Sequence, residues 1–234
     1  MKNLLSIVFV IGSTFLLNSQ SVNKLKKDLL NSIEEKTFEL TSLSDKIWEA
    51  AEVAFREDKS AEYLIEYAEA KGLTIERGLA GMPTAFTASY GKGKPVIGII
   101  GEFDALPGLS QTTAPYRDEL IEGGAGHGCG HNLFGTASLG AAIAIKELIE
   151  KGSIEGTVKF FGTPAEEKFF GKLWMIREGV FDDVDICMDW HPADKTEANV
   201  QPSLALVDFM VEFTGQSAHA LSLIHISEPT RPRS

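Results

Sequence analysis

The stretch VIGIIGEF at residues 96–103, running straight into Asp104, is apolar almost without interruption. Such a run is too short for a typical helix and lacks the alternation of a half-wet strand, so it predicts a strand buried on both faces. On its N-terminal side, GKGKP at 91–95 is a turn signal, and TAFTASY at 84–90 reads as another strand. On its C-terminal side, two more buried runs follow, at 158–162 and at 184–190, the last of which places Cys187 in the core.

Helical spacing fills the intervals. Leu25, Leu29 and Ile33 share one stripe, and Ile47, Ala51 and Ala54 continue a helical period. Ser44 before Asp45 reads as an N-cap, and Gly72 ends the helix that carries Tyr63, Ile65, Tyr67 and Ala68. Residues 133–151, rich in small side chains, and 170–179 complete the set. Buried strands alternating with helices give an α/β catalytic domain: a mostly parallel buried sheet flanked by helices. From 203 to 214 the pattern shifts to period two, LALVDFMVEFT, which marks the start of a second domain with one wet face.

Composition narrows the function. The 234 residues are 44% hydrophobic and 24% charged, with a formal net charge of −11, which argues against a nucleic-acid partner. The two cysteines, Cys129 and Cys187, are too few for a disulfide scaffold. Lys2 followed by the apolar residues 4–17 and by Ser19-Gln20-Ser21 reads as a signal peptide over 1–21, so the expectation is a periplasmic or secreted protein with no membrane contact after cleavage.

The reactive side chains collect at strand ends. The three buried runs lead into Asp104, into Glu166-Glu167 and into His191-Pro192, and ligands of open α/β sheets bind beyond the carboxyl ends of strands. The Gly-rich segment GGAGHGCGHN at 123–132 adds His127, Cys129 and His131. Thiolate, imidazole and carboxylate together suit zinc and, with more oxygen donors, manganese. If the backbone at Glu166-Glu167 stays extended, the two side chains diverge, one towards metal and its neighbour towards the attacking water. Two other readings stand beside this one: a thiol hydrolase using Cys129 with His127 or His131, and a non-catalytic metal- or amino-acid-binding module.

GEFDALPGLSQ, GAGHGCGHN, GTPAEE, DWHPAD and GQSAHA, in this order, resemble the M20 metallopeptidase and amidohydrolase family, in particular its aminobenzoyl-glutamate hydrolase branch. The resemblance implies a catalytic domain of residues 22–202 with a dinuclear centre of two divalent metal ions, zinc or manganese. It also implies the start of an inserted α+β lid domain at 203–220, through which such proteins form homodimers. Position by position, it makes Cys129, His131, Glu167 and His191 metal ligands and Glu166 the general base. Asp104 becomes a supporting acid, and His219 the lid histidine that reaches the substrate. The expected substrate is a small amide with a free carboxylate: an N-acyl or N-aroyl amino acid.

The family's last metal-binding histidine has no counterpart here, and the surroundings of His225 do not match it. The expectation is therefore an incomplete enzyme. Residues 221–234 are expected to be non-native, because LSLIHISEPTR resembles a translated sequencing-library adapter.

Overall fold

In the computed structural model, the described residues are 21–198 together with 205, 207, 209 and 211. The expected signal peptide, apart from Ser21, and His219, His225 and the 221–234 tail lie outside them. The chain divides into two compact units, Met1–Asp194 and Lys195–Ser234. In the second, the described residues Ala205, Val207, Phe209 and Val211 are exposed.

The first unit opens with α1, helical over 21–35, then α2 (Thr37–Ala50) and α3 (Asp58–Ala70). Five strands follow: β1 (Thr74–Arg77), β2 (Phe86–Lys92), β3 (Val96–Glu102), β4 (Gly156–Thr163) and β5 (Ile186–Met188). The long helix α4 (His131–Glu150) links β3 to β4, and the short helices α5 (Glu166–Phe169) and α6 (Gly171–Arg177) link β4 to β5. The strand order is β1-β2-β4-β3-β5. β4, β3 and β5 run parallel, while β1 and β2 add an antiparallel flank.

Both faces of the central strands are covered, and side-chain alternation decides which residue serves which face. Val158 and Phe160 of β4 join Ile99, Phe86 and Ala88 under a layer made by Ile47, Leu64, Ala68, Leu139 and Ile143. Phe161, next to Phe160 in sequence, points the other way and packs with Met82, Ala85 and Met175 of α6. The helix-flanked α/β sheet read from the sequence is thus present.

Several local expectations fail. The helical period read through Ile47, Ala51 and Ala54 stops at Ala50, because Ala51 is left-handed (φ 42°, ψ 49°) and ends α2. Ser44 is no N-cap: it lies inside α2, buried, and its hydroxyl accepts a hydrogen bond from Asn132 Nδ2 at 3.0 Å. The helix expected over 170–179 starts only at Gly171, because Phe170 is left-handed (φ 54°, ψ 51°). Cys187 is exposed rather than core, as is all of β5, because that strand pairs only with β3 among the described strands.

Candidate metal centre

Parallel β3, β4 and β5 bring their C-terminal ends to one edge of the sheet, where crossover connections leave a crevice. Glu102 is the last residue of β3, with Asp104 two beyond; Glu166 and Glu167 follow β4; Trp190 and His191 follow β5. His131 enters from the first position of α4. The turn before it needs glycine, because Gly130 is left-handed (φ 82°) and a Cβ there would come within 3.0 Å of Pro192 Cγ.

His131 is the hub. Its Nδ1–H donates to Asp104 Oδ1 at 2.8 Å, and its Nε2 faces Glu102 Oε2 at 2.9 Å, with Glu167 Oε1 at 3.9 Å and Glu166 Oε2 at 4.0 Å. Asp104 also accepts the backbone N–H of Glu167 at 2.9 Å. Cys129 Sγ lies 3.3 Å from His191 Nε2, whose ring donates through Nδ1 to Pro192 O at 2.9 Å. Phe134 packs edge-to-face on both histidines and on Trp190, and the Trp190 indole N–H donates to Ser138 Oγ at 3.1 Å.

Two sets of donor atoms lie close enough to hold an ion: Cys129, His131 and His191, and Glu102, His131 and Glu166, each set within 4.8 Å. A second observation fits a cation. Glu102 Oε2 and His131 Nε2, 2.9 Å from each other, and Glu167 Oε1 are buried without a well-aligned hydrogen bond, a costly arrangement for polar atoms unless something else binds them. The mixture of sulfur, nitrogen and oxygen donors suits zinc, with enough carboxylate for manganese.

Electrostatics supports the same fit. Burial alone would lower the His131 pKa, but its contacts with Asp104 and Glu102 outweigh burial and carry it to about 10. Burial, reinforced by Glu167, Glu166 and Glu102, pushes the Cys129 thiol up to about 11. Burial likewise raises Glu167, with Asp104 and Glu166 adding to it against His131. These groups hold protons in a field that favours cations, and a metal ion displaces such protons when it binds.

The structure brings together Asp104, Cys129, His131, Glu166, Glu167 and His191. It leaves His127 apart: that ring is 3.1 Å from Ile47 O, and burial lowers its pKa to about 4. The histidine in hydrogen-bonding contact with Cys129 is His191, with His131 also within 4.8 Å, and a thiol raised to about 11 is a poor nucleophile at neutral pH. Glu166 and Glu167 do not diverge on extended backbone. They open the helical turn α5, where successive side chains point about 100° apart, so both reach the cluster at different depths. Two members of the site carry no motif signal of their own: Glu102, although it stands inside GEFD, and Lys172, whose ammonium is in direct contact with the Glu102 carboxylate.

Comparison with known proteins places this geometry. The pattern of "Peptidase family M20/M25/M40" matches residues 98–233. The chain is 44% identical over 204 residues to one of the subunits of p-aminobenzoyl-glutamate hydrolase from Escherichia coli, covering 84% of this chain and 41% of that protein. It is 30% identical over 208 residues to the Xaa-Arg dipeptidase of Mus musculus, covering 84% of this chain and 44% of the relative. A crystal structure of a dinuclear metal binding peptidase of the M20 family from Bacillus subtilis superposes with a TM-score of 0.53 at 27% identity, covering 64% of this chain and 42% of that one. The chain spans less than half the length of the curated relatives it matches.

Proposed function

Because the chain belongs to peptidase family M20/M25/M40, we propose that it carries the metal-binding half-site of an amidohydrolase that cleaves the amide bond of an N-acyl or N-aroyl amino acid. The observation that carries this reading is the convergence of Cys129, His131, His191 and the acidic group Glu102, Asp104, Glu166 and Glu167, with buried donor atoms that lack well-aligned hydrogen bonds.

Cys129, His131, Glu167 and His191 would hold two divalent ions, zinc or manganese, with Glu102 beside them. When bound, such ions polarise an amide carbonyl and acidify water. Asp104 fixes the His131 tautomer through Nδ1 and anchors the Glu167 backbone at once, so one carboxylate orients two ligands. The Glu166 side chain is 37% exposed and that of Glu167 15%, so Glu166 faces the open side. In this reading it would take a proton from the attacking water and return it to the leaving nitrogen. The 44% identity to a component of an aminobenzoyl-glutamate hydrolase supports an acyl or aroyl group on a carboxylate-bearing amino acid. Export through residues 1–21, a lid beginning at 203 with His219 reaching the substrate, and a homodimer formed through that lid belong to the same proposal.

The test, made on an intact version of the protein, is metal analysis together with hydrolysis of p-aminobenzoyl-glutamate and of small N-acyl amino acids. Two bound divalent ions and activity abolished by a chelator are expected. Full turnover in a rigorously metal-free preparation would overturn the reading and favour thiol chemistry at Cys129. Metal binding without turnover of any such amide would favour a binding module.

A further inference from the structure

Glu57 is wholly buried, far from the cluster in sequence, and has no part in the chemistry proposed above. It occupies the N-cap position of α3, yet its side chain caps nothing there. That duty falls to Glu52, whose carboxylate accepts the N–H groups of Lys59 and Ser60 at 3.1 and 2.8 Å. Glu57 is thereby free to reach across the fold. Its Oε1 accepts the backbone N–H of Ala165 at 2.8 Å, and its Oε2 accepts the Thr84 hydroxyl at 3.3 Å.

Ala165 is an unusual residue to find there. It is fully buried and left-handed (φ 58°, ψ 37°), a conformation that a non-glycine residue keeps only when its surroundings impose it. Directly after it come Glu166 and Glu167, and its carbonyl accepts the N–H of Phe169 at 3.1 Å, closing the turn that presents both carboxylates to His131. Phe170 is left-handed in the same way at the other end. The turn is thus a bent segment bracketed by two unfavourable conformations, and the Glu57 carboxylate grips it at the entrance.

We propose that Glu57 is a positioning residue: its hydrogen bond to the Ala165 N–H holds the left-handed bend that aims Glu166 and Glu167 at the metal centre. Burial raises the Glu57 pKa to about 7, so a neutral acceptor suits this position. The inference rests on the metal reading above.

The experiment is a Co²⁺ titration of the 234-residue chain and two variants, with circular dichroism and thermal melting recorded alongside. Glu57→Met fills the same space but offers only a weak acceptor. While folded, it should bind Co²⁺ about 10–100-fold more weakly than wild type, the usual effect of losing a group that orients ligands, with a changed ligand-field spectrum. Glu57→Gln keeps a carbonyl oxygen for the Ala165 N–H and should bind as wild type does. If Glu57→Met does not fold, Glu57→Asp serves instead, because it keeps a buried carboxyl one methylene too short to hold Ala165, and the same loss is expected. A folded Met or Asp variant that binds Co²⁺ as wild type does, even with a lower melting temperature, overturns the proposal. Equal weakening in Glu57→Gln also overturns it, because charge rather than the hydrogen bond would then be at work. A wild-type chain that binds no Co²⁺ defeats the metal reading itself, and this inference with it.

Discussion

His131 Nδ1 and Asp104 Oδ1 are 2.8 Å apart, and both side chains are wholly buried. The second Asp104 oxygen accepts the Glu167 N–H, so each carboxylate oxygen faces a donor. In Asp104→Asn one of those oxygens becomes an NH₂ group pointing at a donor. The expected result is metal affinity lower by about 10–100-fold in a zinc or manganese titration, with the fold retained by circular dichroism.

The two adjacent glutamates should separate in function. Glu167→Ala and His191→Ala should lower metal occupancy measured after dialysis. Glu166→Gln should keep the metal and lose most turnover, about 10²–10⁴-fold for a general base. Equal metal loss in Glu166→Gln and Glu167→Ala would show that the roles are wrongly divided.

Gly135, one turn into α4 from His131, sits against β3. A methyl group there would lie 2.7 Å from the Glu102 carbonyl oxygen, a backbone atom that cannot swing away. Gly135→Ala must push the helix off the strand, with an expected loss of about 1–3 kcal/mol in denaturant unfolding, as for other overpacked sites. Because His131 and Glu102 ride on those two elements, metal affinity should fall with it. Unchanged stability would show that α4 has slack at this crossing.

Glu57 makes a pH-dependent contribution to stability. Its pKa is about 7 when folded, raised mainly by burial and further by Asp104, against 4.5 as the ordinary value. Below 4.5 it is protonated whether folded or not. As pH rises towards 7 only the unfolded chain ionises, so folding stability falls, and above 7 the loss is complete. Glu57→Gln abolishes this contribution. Urea unfolding at about pH 4.5 and about pH 8 should show the variant gaining on wild type by up to about 3 kcal/mol at the higher pH. A constant difference between the two proteins would exclude ionisation at Glu57.

Periodicity and punctuation make β3, β4 and α4 legible, and with them the sheet edge where Asp104, Glu166 and His191 meet. Ladder register and helix faces are local properties that repeat along the chain. Partners chosen by the fold are different. Glu57 and Ala165 are 108 residues apart, Lys172 and Glu102 are 70 apart, and Ser44 meets Asn132 across 88. No spacing rule encodes such pairs. Cys187 departs from its expected burial for a related reason: an apolar strand reads as buried from its sequence, while its burial depends on neighbours lying elsewhere in the chain.

The contact between Lys172 and Glu102 sets the charge balance of the whole cluster. Glu102, Asp104, Glu166 and Glu167 bring four formal negative charges, and the Cys129 thiol adds a fifth if metal binding drives its proton off into solvent. The Lys172 ammonium cancels one, leaving four, which two divalent cations neutralise. Lys172 on α6 thus offsets part of the acidic charge that the proposed ions would meet.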